Sequence, residues 1–204
     1  MKVLLTAFEP FGNRTKNTSQ EVLMRVDDTR TGSQVVKRLL PVDTVKGPAA
    51  LIDILQNDAF QAVVCLGEAS SIHWVQLERL AVNWLDFPIA DNAGAQIIDQ
   101  MIAPNGPTEY FSTLPIRNFE QTLIGREIPV RISMSAGTYL CNQVFYTLMH
   151  FLDGNPMDIP AGFIHLPVYS WNHTEGQPDV PCGNHEYQQI AEAIDKLLET
   201  LATG

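Results

Sequence analysis

The sequence predicts an α/β fold, with a three-layer α/β/α sandwich around a largely parallel, mixed sheet. Two observations lead to this prediction. Short apolar runs alternate along the chain with longer segments of helical periodicity. The run AVVCL at residues 62–66 is apolar at every position, which is typical of a strand covered on both faces of a sheet.

The length and composition of the chain favour one domain. The chain has 204 residues, and 45% of them are hydrophobic, which is enough to bury one substantial core. The sequence contains no internal repeat and no segment with the composition of a flexible linker. We therefore expect a single domain over residues 1–204.

The expected elements follow one another in a regular order. Residues 2–6 form a strand that runs into the loop AFEPFGNRTKN, and residues 19–26 form a helix after capping residues at 17–19. Further strands are expected at residues 35–40, 62–66, 80–83, 130–133 and 162–165. Further helices are expected at residues 47–56, 118–125, 139–152 and 185–201. Residues 86–115 are rich in Pro, Gly and Asn and are expected to be irregular.

Charge and cysteine content exclude several classes of protein. The net charge of −10 leaves no basic surface for nucleic acid or for anionic membranes. The N-terminal apolar run breaks at Glu9 and Pro10, and no segment reaches the ~18 apolar residues of a membrane helix. Three widely spaced cysteines predict neither a disulfide framework nor a metal site. We expect a soluble, cytoplasmic protein.

Cys141 is a candidate nucleophile within SAGTYLCNQVFY. It lies near the start of a predicted helix, where the helix dipole favours a thiolate. The spacing of Cys141, Phe145, Leu148 and Leu152 equally suits a buried helical stripe, so packing in the core is a second interpretation.

His165 and Glu78 are candidates for the base and its orienting group. His165 ends the apolar strand GFIH, and imidazole supplies a general base near neutral pH. Glu78 stands among apolar residues in VQLERLAVN, so its carboxylate must be paired, and an imidazole is one suitable partner. The alternatives are a structural histidine and an ion pair of Glu78 with Arg79. From the residues alone, a Cys/His/Glu site is permitted and is not established.

Four segments together are similar to one known family. LLTAFEPFG, ERLAVN, SAGTYLCN and GFIHLP resemble the pyroglutamyl peptidase I family of cysteine peptidases, also called pyrrolidone-carboxylate peptidases. The resemblance covers nearly the whole chain, includes IADNAG, and keeps the order Glu, Cys, His. It implies that Cys141 is the nucleophile, that His165 is its base, and that Glu78 orients the imidazole.

The resemblance also implies an activity and a setting. Such enzymes release N-terminal pyroglutamyl (5-oxoproline) residues from peptides through a thioester, without a metal or an organic cofactor. The family has a single α/β/α domain, and its members are commonly cytoplasmic homo-oligomers, so a dimer or tetramer is expected here. The flat, uncharged lactam needs a largely aromatic pocket.

Four residues are expected to form that lactam pocket. Phe8 and Phe11 are similar to the ring-binding aromatics of the family, and Tyr139 stands where another aromatic packs. Asn17 lies in NTS, where the family typically has Asn-Pro-Ser, and is expected to position or contact the lactam. Ordinary core packing is the alternative for the two phenylalanines.

Two segments depart from the family pattern. The segment EASSI replaces Gln-Ala-Gly-Gly-Arg, which should stiffen the loop from Glu68 to Ile72 and add a charge beside the pocket. Pro88 stands where the family commonly has an Arg that could stabilise negative charge. These changes leave two further hypotheses open: altered acyl or lactam specificity, and a pyroglutamyl-binding protein without turnover.

Overall fold

Apolar runs form the strands of a central sheet, and amphipathic segments form the helices around it. The computed structural model describes residues 1–12, 14–30, 33–155, 157–172 and 178–203. The strands are β1 (Lys2–Phe8), β2 (Thr29–Arg30), β3 (Ser33–Leu40), β4 (Ala62–Ala69), β5 (Val75–Glu78), β6 (Leu80–Val82), β7 (Glu109–Phe111), β8 (Val130–Ser133) and β9 (Ala161–Pro167). The helices are α1 (Thr18–Leu23), α2 (Lys46–Asn57), α3 (Ile116–Ile124), α4 (Leu140–Gly154) and α5 (Asn184–Thr203).

Seven of these strands form one mixed sheet in the order β2-β3-β1-β4-β9-β5-β8. Strands β3, β1, β4 and β9 are mutually parallel, and β2 pairs antiparallel with β3. Strand β5 runs antiparallel to β9 and parallel to β8. The predicted α/β class with a largely parallel, mixed sheet is confirmed.

Side-chain alternation along the strands produces a separate core on each face of the sheet. On β1, for example, Val3 and Leu5 face one core, and Leu4 and Phe8 face the other. Helices α1, α3 and α5 cover the first core, while α2 and α4 cover the second. The result is the predicted three-layer arrangement.

At the start of each of the first two helices, a side-chain oxygen accepts backbone N–H groups. Asn17 caps α1, because its Oδ1 accepts the N–H of Ser19 at 2.9 Å. Asp43 does the same ahead of α2, where its Oδ1 accepts the N–H groups of Val45 and Lys46, each at 2.8 Å. The predicted capping residue of α1 is therefore correct, although the helix is shorter than expected.

The segment around Glu78 differs from its prediction. The strand expected at residues 80–83 is present as β6, but it lies outside the main sheet and pairs with β7. Strand β5, which ends at Glu78, belongs to the main sheet instead. The prediction of an irregular segment at 86–115 was thus wrong for β7, because a three-residue strand is too short to show a periodic pattern.

The helix expected from Tyr139 begins one residue later. Tyr139 has extended backbone angles and precedes the first turn of α4. The two-residue strand β2 was not expected from the sequence at all. Within the described parts of the chain, no helix is both long enough and apolar enough to cross a bilayer.

Candidate active site

Strand alternation brings an imidazole and a carboxylate to the α4 side of the sheet. On β9, Phe163 packs in the core beneath α4, so His165, two residues later, faces the same way. The antiparallel register places Gln76 opposite His165 and Glu78 opposite Phe163. Glu78 is therefore a diagonal neighbour of His165, within reach of a long side chain. Its Oε1 lies 2.7 Å from Nδ1 of His165.

Both groups of this pair are buried. Glu78 is fully inaccessible, and His165 is 6% exposed. Burial by itself would lower the pKa of His165, but its interactions with Cys141 and Glu78 raise it above the usual value of 6.5. These interactions therefore favour the protonated, imidazolium form of His165 at neutral pH.

Cys141 differs from the other two cysteines in its surroundings. Cys65 and Cys182 are buried, and burial raises the pKa of each thiol to about 12. Cys141 is only partly buried, and it lines both cavities described below. It also packs against the core that contains Phe145 and Leu148. The residue therefore ends a buried stripe and also faces open space, and its role as the nucleophile remains a prediction.

Side chains of α4 fix the start of this helix in place. Asn142 accepts the N–H of Val82 at 2.9 Å and donates to the carbonyl oxygens of Val82 and Trp84. Gln143 donates to the carbonyl oxygen of Thr44 at 3.0 Å. The side chain of Tyr139, at the N-cap position, makes no capping hydrogen bond to the helix. Its first N–H groups are therefore available to a negative charge beside Cys141.

A cavity of about 290 Å³, the closed pocket, lies on one side of Cys141. Its walls are largely aromatic: Tyr139 meets Phe87 edge to face at 4.6 Å between ring centroids and lies 6.3 Å from Phe11. The lining residues are Phe8, Phe11, Asn17, Val42, Glu68, Tyr139, Leu140 and Cys141. All four residues expected to bind the lactam lie in this one cavity, and their roles remain predictions.

Hydrogen bonds tie the FEPF loop to its neighbours. Asn17 accepts two hydrogen bonds from Ser19 and donates to the carbonyl oxygen of Glu9 at 3.2 Å. Asn92 donates to Oε1 of Glu9 and to the carbonyl oxygen of Pro10, both at 3.0 Å. Asn17 thus supports the pocket wall through its own bonds. No local pattern indicated that Asn92 would hold the FEPF loop in place, because its partners lie more than 80 residues earlier in the chain.

The charge expected from Glu68 is present, and it is compensated. Glu68 lines the closed pocket, but its side chain is 1% exposed and forms an ion pair with Arg14. Its other oxygen accepts the N–H of Thr18, at the start of α1, at 2.6 Å. The closed pocket therefore contains no isolated negative charge at this position.

A second cavity of about 1040 Å³, the open groove, also borders Cys141 and reaches His165. Both departures from the family pattern lie along it. Its lining residues are Phe11, Glu68, Ala69, Ser70, Ser71, Ile72, Gln76, Pro88, Ile89, Ser135, Ala136, Gly137, Thr138, Tyr139, Cys141 and His165. The altered segments therefore face the groove rather than the Glu78 and His165 pair itself.

Metal-binding side chains do not gather at this site. Across the ranges that the structure describes, no three His, Cys, Asp or Glu side chains are placed to hold a metal ion. Glu78 and His165 are hydrogen-bonded to each other. The arrangement can perform nucleophilic and acid–base chemistry with its own groups.

Comparisons with known proteins agree over nearly the whole chain. A family model described as pyroglutamyl peptidase matches residues 1–202. Pyrrolidone-carboxylate peptidase 1 of Caldanaerobacter subterraneus subsp. tengcongensis is 34% identical over 200 residues, covering 98% of this chain and 95% of that protein. The pyrrolidone-carboxylate peptidase of Vibrio parahaemolyticus is 39% identical over 176 residues, covering 86% of this chain and 82% of that protein.

Solved structures share the backbone arrangement. A mutant pyrrolidone carboxyl peptidase of Pyrococcus furiosus superimposes with a TM-score of 0.89 at 35% identity, covering 98% of both chains. Pyroglutamyl peptidase I of Bacillus amyloliquefaciens superimposes with a TM-score of 0.89 at 30% identity, covering 100% of this chain and 95% of that one. The similarity therefore extends through every layer of the fold.

Proposed function

Because the chain belongs to the pyroglutamyl peptidase family, it is an enzyme that acts on pyroglutamyl peptides, and we propose that Cys141, His165 and Glu78 perform the reaction. The observation that carries this proposal is the 2.7 Å contact between Nδ1 of His165 and Oε1 of the buried Glu78, with His165 and Cys141 lining one cavity. Glu78 orients the ring and stabilises its positive charge.

The reaction proceeds in two acyl-transfer steps. The Cys141 thiolate attacks the carbonyl carbon of the pyroglutamyl residue, and the His165 imidazolium protonates the departing amine as the amide bond breaks. This leaves a thioester on Cys141. Neutral His165 then takes a proton from water, whose oxygen attacks the thioester and releases pyroglutamate, which restores the thiolate and imidazolium. One water molecule is consumed, and no cofactor enters the balance.

Each attack places negative charge on the former carbonyl oxygen. The first N–H groups of α4 are the proposed donors to this oxygen, because the side chain of Tyr139, at the N-cap position, makes no capping hydrogen bond to that helix end. They belong to the same turn that holds Cys141, so the nucleophile and the donors are positioned together. Such donors contribute most when they are fixed before the reaction, and the bonds of Asn142 and Gln143 fix this turn.

The two cavities receive the two parts of the substrate. The closed pocket takes the lactam between Phe8, Phe11 and Tyr139, because aromatic walls match a flat, uncharged ring. The open groove takes the departing peptide, because it reaches both Cys141 and His165. His165 borders only the groove, where the amine that it protonates leaves.

We extend the proposal to the organisation of the protein. The family match over residues 1–202 supports one catalytic domain spanning 1–204. A homo-oligomer, either a dimer or a tetramer, is supported by exposed apolar side chains that lie close together. The bridge between Leu85 and Gln100 brings Trp84 and Met101 together, and these are 38% and 41% exposed. Light scattering after size-exclusion chromatography tests the oligomeric state. We also propose a cytoplasmic location.

Turnover of a pyroglutamyl amide with a fluorescent leaving amine tests the function. We expect Cys141→Ser to lower kcat by at least about 1000-fold, because removal of a nucleophile abolishes its covalent route. The matched control is Cys182→Ser, which changes a buried cysteine outside both cavities. Undiminished turnover by Cys141→Ser would refute the mechanism.

The same assay separates the two other hypotheses. A panel of aminoacyl and lactam amides tests altered specificity, which requires a preferred substrate other than pyroglutamyl. Stabilisation of the wild type by a pyroglutamyl ligand, without any product, would instead indicate a binding protein. The compensated charge of Glu68 supports the pyroglutamyl substrate over a cationic one.

A further inference from the structure

Gln76 lies directly against the pair of Glu78 and His165. It is two residues before Glu78 on β5, so both side chains project from the same face of the strand. The β5–β9 register places Gln76 opposite His165. Its Nε2 donates to Oε1 of Glu78 at 2.8 Å. One carboxylate oxygen therefore accepts hydrogen bonds from both Gln76 and His165.

The other oxygen of Glu78 contributes nothing to its alignment. Oε2 is buried and has no hydrogen-bond partner among the described residues. The orientation of this carboxylate consequently depends on the bonds to Oε1. If Gln76 were absent, His165 would be the remaining partner of that oxygen, and the carboxylate could rotate about its terminal torsion. A buried carboxylate with one partner would orient the imidazole poorly.

Gln76 is itself held from the other end. Nε1 of Trp74 donates to Oε1 of Gln76 at 3.3 Å, which directs the amide nitrogen toward Glu78. The Trp74 ring packs against the guanidinium of Arg131 at 3.7 Å from the ring centroid. Trp74 lies just before β5, and Gln76 and Glu78 follow it at intervals of two residues, so contacts run without a break from Trp74 through Gln76 and Glu78 to His165.

We propose that Gln76, anchored by Trp74, is a positioning residue for this reaction. It fixes the Glu78 carboxylate so that its Oε1 holds His165 toward Cys141. The amide suits this role because it donates a hydrogen bond without carrying a charge that would compete with the imidazolium. The inference rests on the proposed roles of Cys141 and His165.

Substitution of Gln76 by leucine tests the proposal. Gln76→Leu keeps similar length and removes the donor, and we expect kcat to fall about 10- to 100-fold, the usual range for loss of an orienting partner. Trp74→Phe removes only the anchor and should lower kcat by a smaller factor. The matched control is Gln188→Leu, which removes another Gln-to-Glu hydrogen bond, on the exposed face of α5.

A second readout avoids the peptide substrate. The rate at which iodoacetamide alkylates Cys141 at mildly acidic pH reports the thiolate that His165 stabilises. We expect this rate to fall together with kcat in Gln76→Leu and to stay unchanged in Gln188→Leu. A merely structural role would lower the melting temperature without slowing alkylation of the folded protein.

Several results would overturn the proposal. One is a kcat for Gln76→Leu within twofold of the wild-type value. Another is a rise in KM with unchanged kcat and unchanged alkylation, because Gln76 also lines the open groove and would then act only in binding the peptide. If Gln76→Leu does not fold, Trp74→Phe decides the matter. A kcat and an alkylation rate equal to those of the wild type in Trp74→Phe would then overturn the proposal. If alkylation depends on Gln76 while the wild type cleaves no pyroglutamyl amide, the positioning role stands and the proposed function fails.

Discussion

The closed pocket and the open groove meet at Cys141, yet they are built in different ways. The closed pocket, of about 290 Å³, is walled by aromatic rings, and hydrogen bonds from Asn17 and Asn92 hold its loop. The open groove, of about 1040 Å³, is lined by loop residues such as Ser70, Ser71 and Pro88. A braced, apolar cavity selects one flat ring, whereas a wide groove bordered by loops tolerates variation in the peptide that leaves.

The residues that depart from the family pattern are distributed unevenly between the two cavities. The changed residues of the EASSI segment and Pro88 line the groove, while the expected lactam-binding residues line the closed pocket, two of which, Phe11 and Tyr139, border both cavities. Glu68 lines both cavities, and its charge is matched by Arg14. Most of these departures therefore border the open groove rather than the closed pocket.

After loss of the nucleophile itself, the largest expected effect comes from Gly67, which packs against Cys141, a residue that lines both cavities. A methyl group at Gly67 would lie 2.6 Å from Cζ of Phe163 and 2.9 Å from Sγ of Cys141. Gly67→Ala should therefore displace the sulfur and lower kcat/KM about 100-fold for every substrate. Gly154→Ala is the control, since a methyl group there meets nothing within 4 Å. Equal kinetics in the two variants would show that the sulfur needs no close packing.

A smaller effect concerns an aromatic wall of the closed pocket that also borders the open groove. Phe11→Ala removes one aromatic wall, and we expect KM to rise about tenfold, in keeping with the loss of apolar contact with the lactam. The rise should be the same whichever residue follows pyroglutamate. Phe111→Ala, at a 53% exposed phenylalanine outside both cavities, should leave KM unchanged. A rise that depends on the leaving residue would show that Phe11, which also lines the open groove, contacts the departing peptide instead of the lactam.

The complementary change isolates the open groove. Pro88→Arg adds a positive charge, so kcat/KM for an acidic residue after pyroglutamate should rise about fivefold relative to a basic one. The shift should diminish at high salt, because exposed charges are screened. Ile98→Arg adds the same charge at an exposed residue outside the groove and serves as the control. An identical shift in both variants would indicate a long-range effect of net charge.

The smallest effect concerns Asp43, which accepts two backbone N–H groups at the start of α2. The N–H groups of Lys46 and Val45 lower the pKa of Asp43 below its usual value, so this carboxylate stabilises the fold above its unfolded pKa. That contribution is lost as pH falls through the folded pKa. Asp43→Asn should therefore lower the Tm by a few degrees at pH 7, and the difference from wild type should shrink in acid. Thermal unfolding at several pH values measures this.

A substitution at the surface of α2, the helix that follows Asp43, provides the control. Asp53→Asn changes an exposed carboxylate on α2 and should leave the dependence of Tm on pH closer to that of the wild type. If both variants show the same pH dependence, the cap at Asp43 does not stabilise α2. Turnover should change little in either, because neither side chain lines the closed pocket or the open groove.

Prediction from the sequence succeeded where a local pattern was long enough. Continuous apolar runs indicated β1, β4 and β9, and helical periodicity indicated α4 and α5. The prediction failed for β2 and β7, which have two and three residues, and for the separation of β5 from β6. Strand pairing depends on partners elsewhere in the chain, so short strands carry no recognisable signal of their own.

For the site, the sequence by itself determined the chemistry that is available. A cysteine near a helix start, a histidine at a strand end and a glutamate among apolar residues can supply a nucleophile, a base and an orienting group. Only the tertiary structure decided that Glu78 reaches His165, since this follows from β5 running antiparallel beside β9. It also placed Gln76 on Glu78 and Asn92 on the FEPF loop. Such contacts arise from strand direction and register, which local residue patterns do not encode.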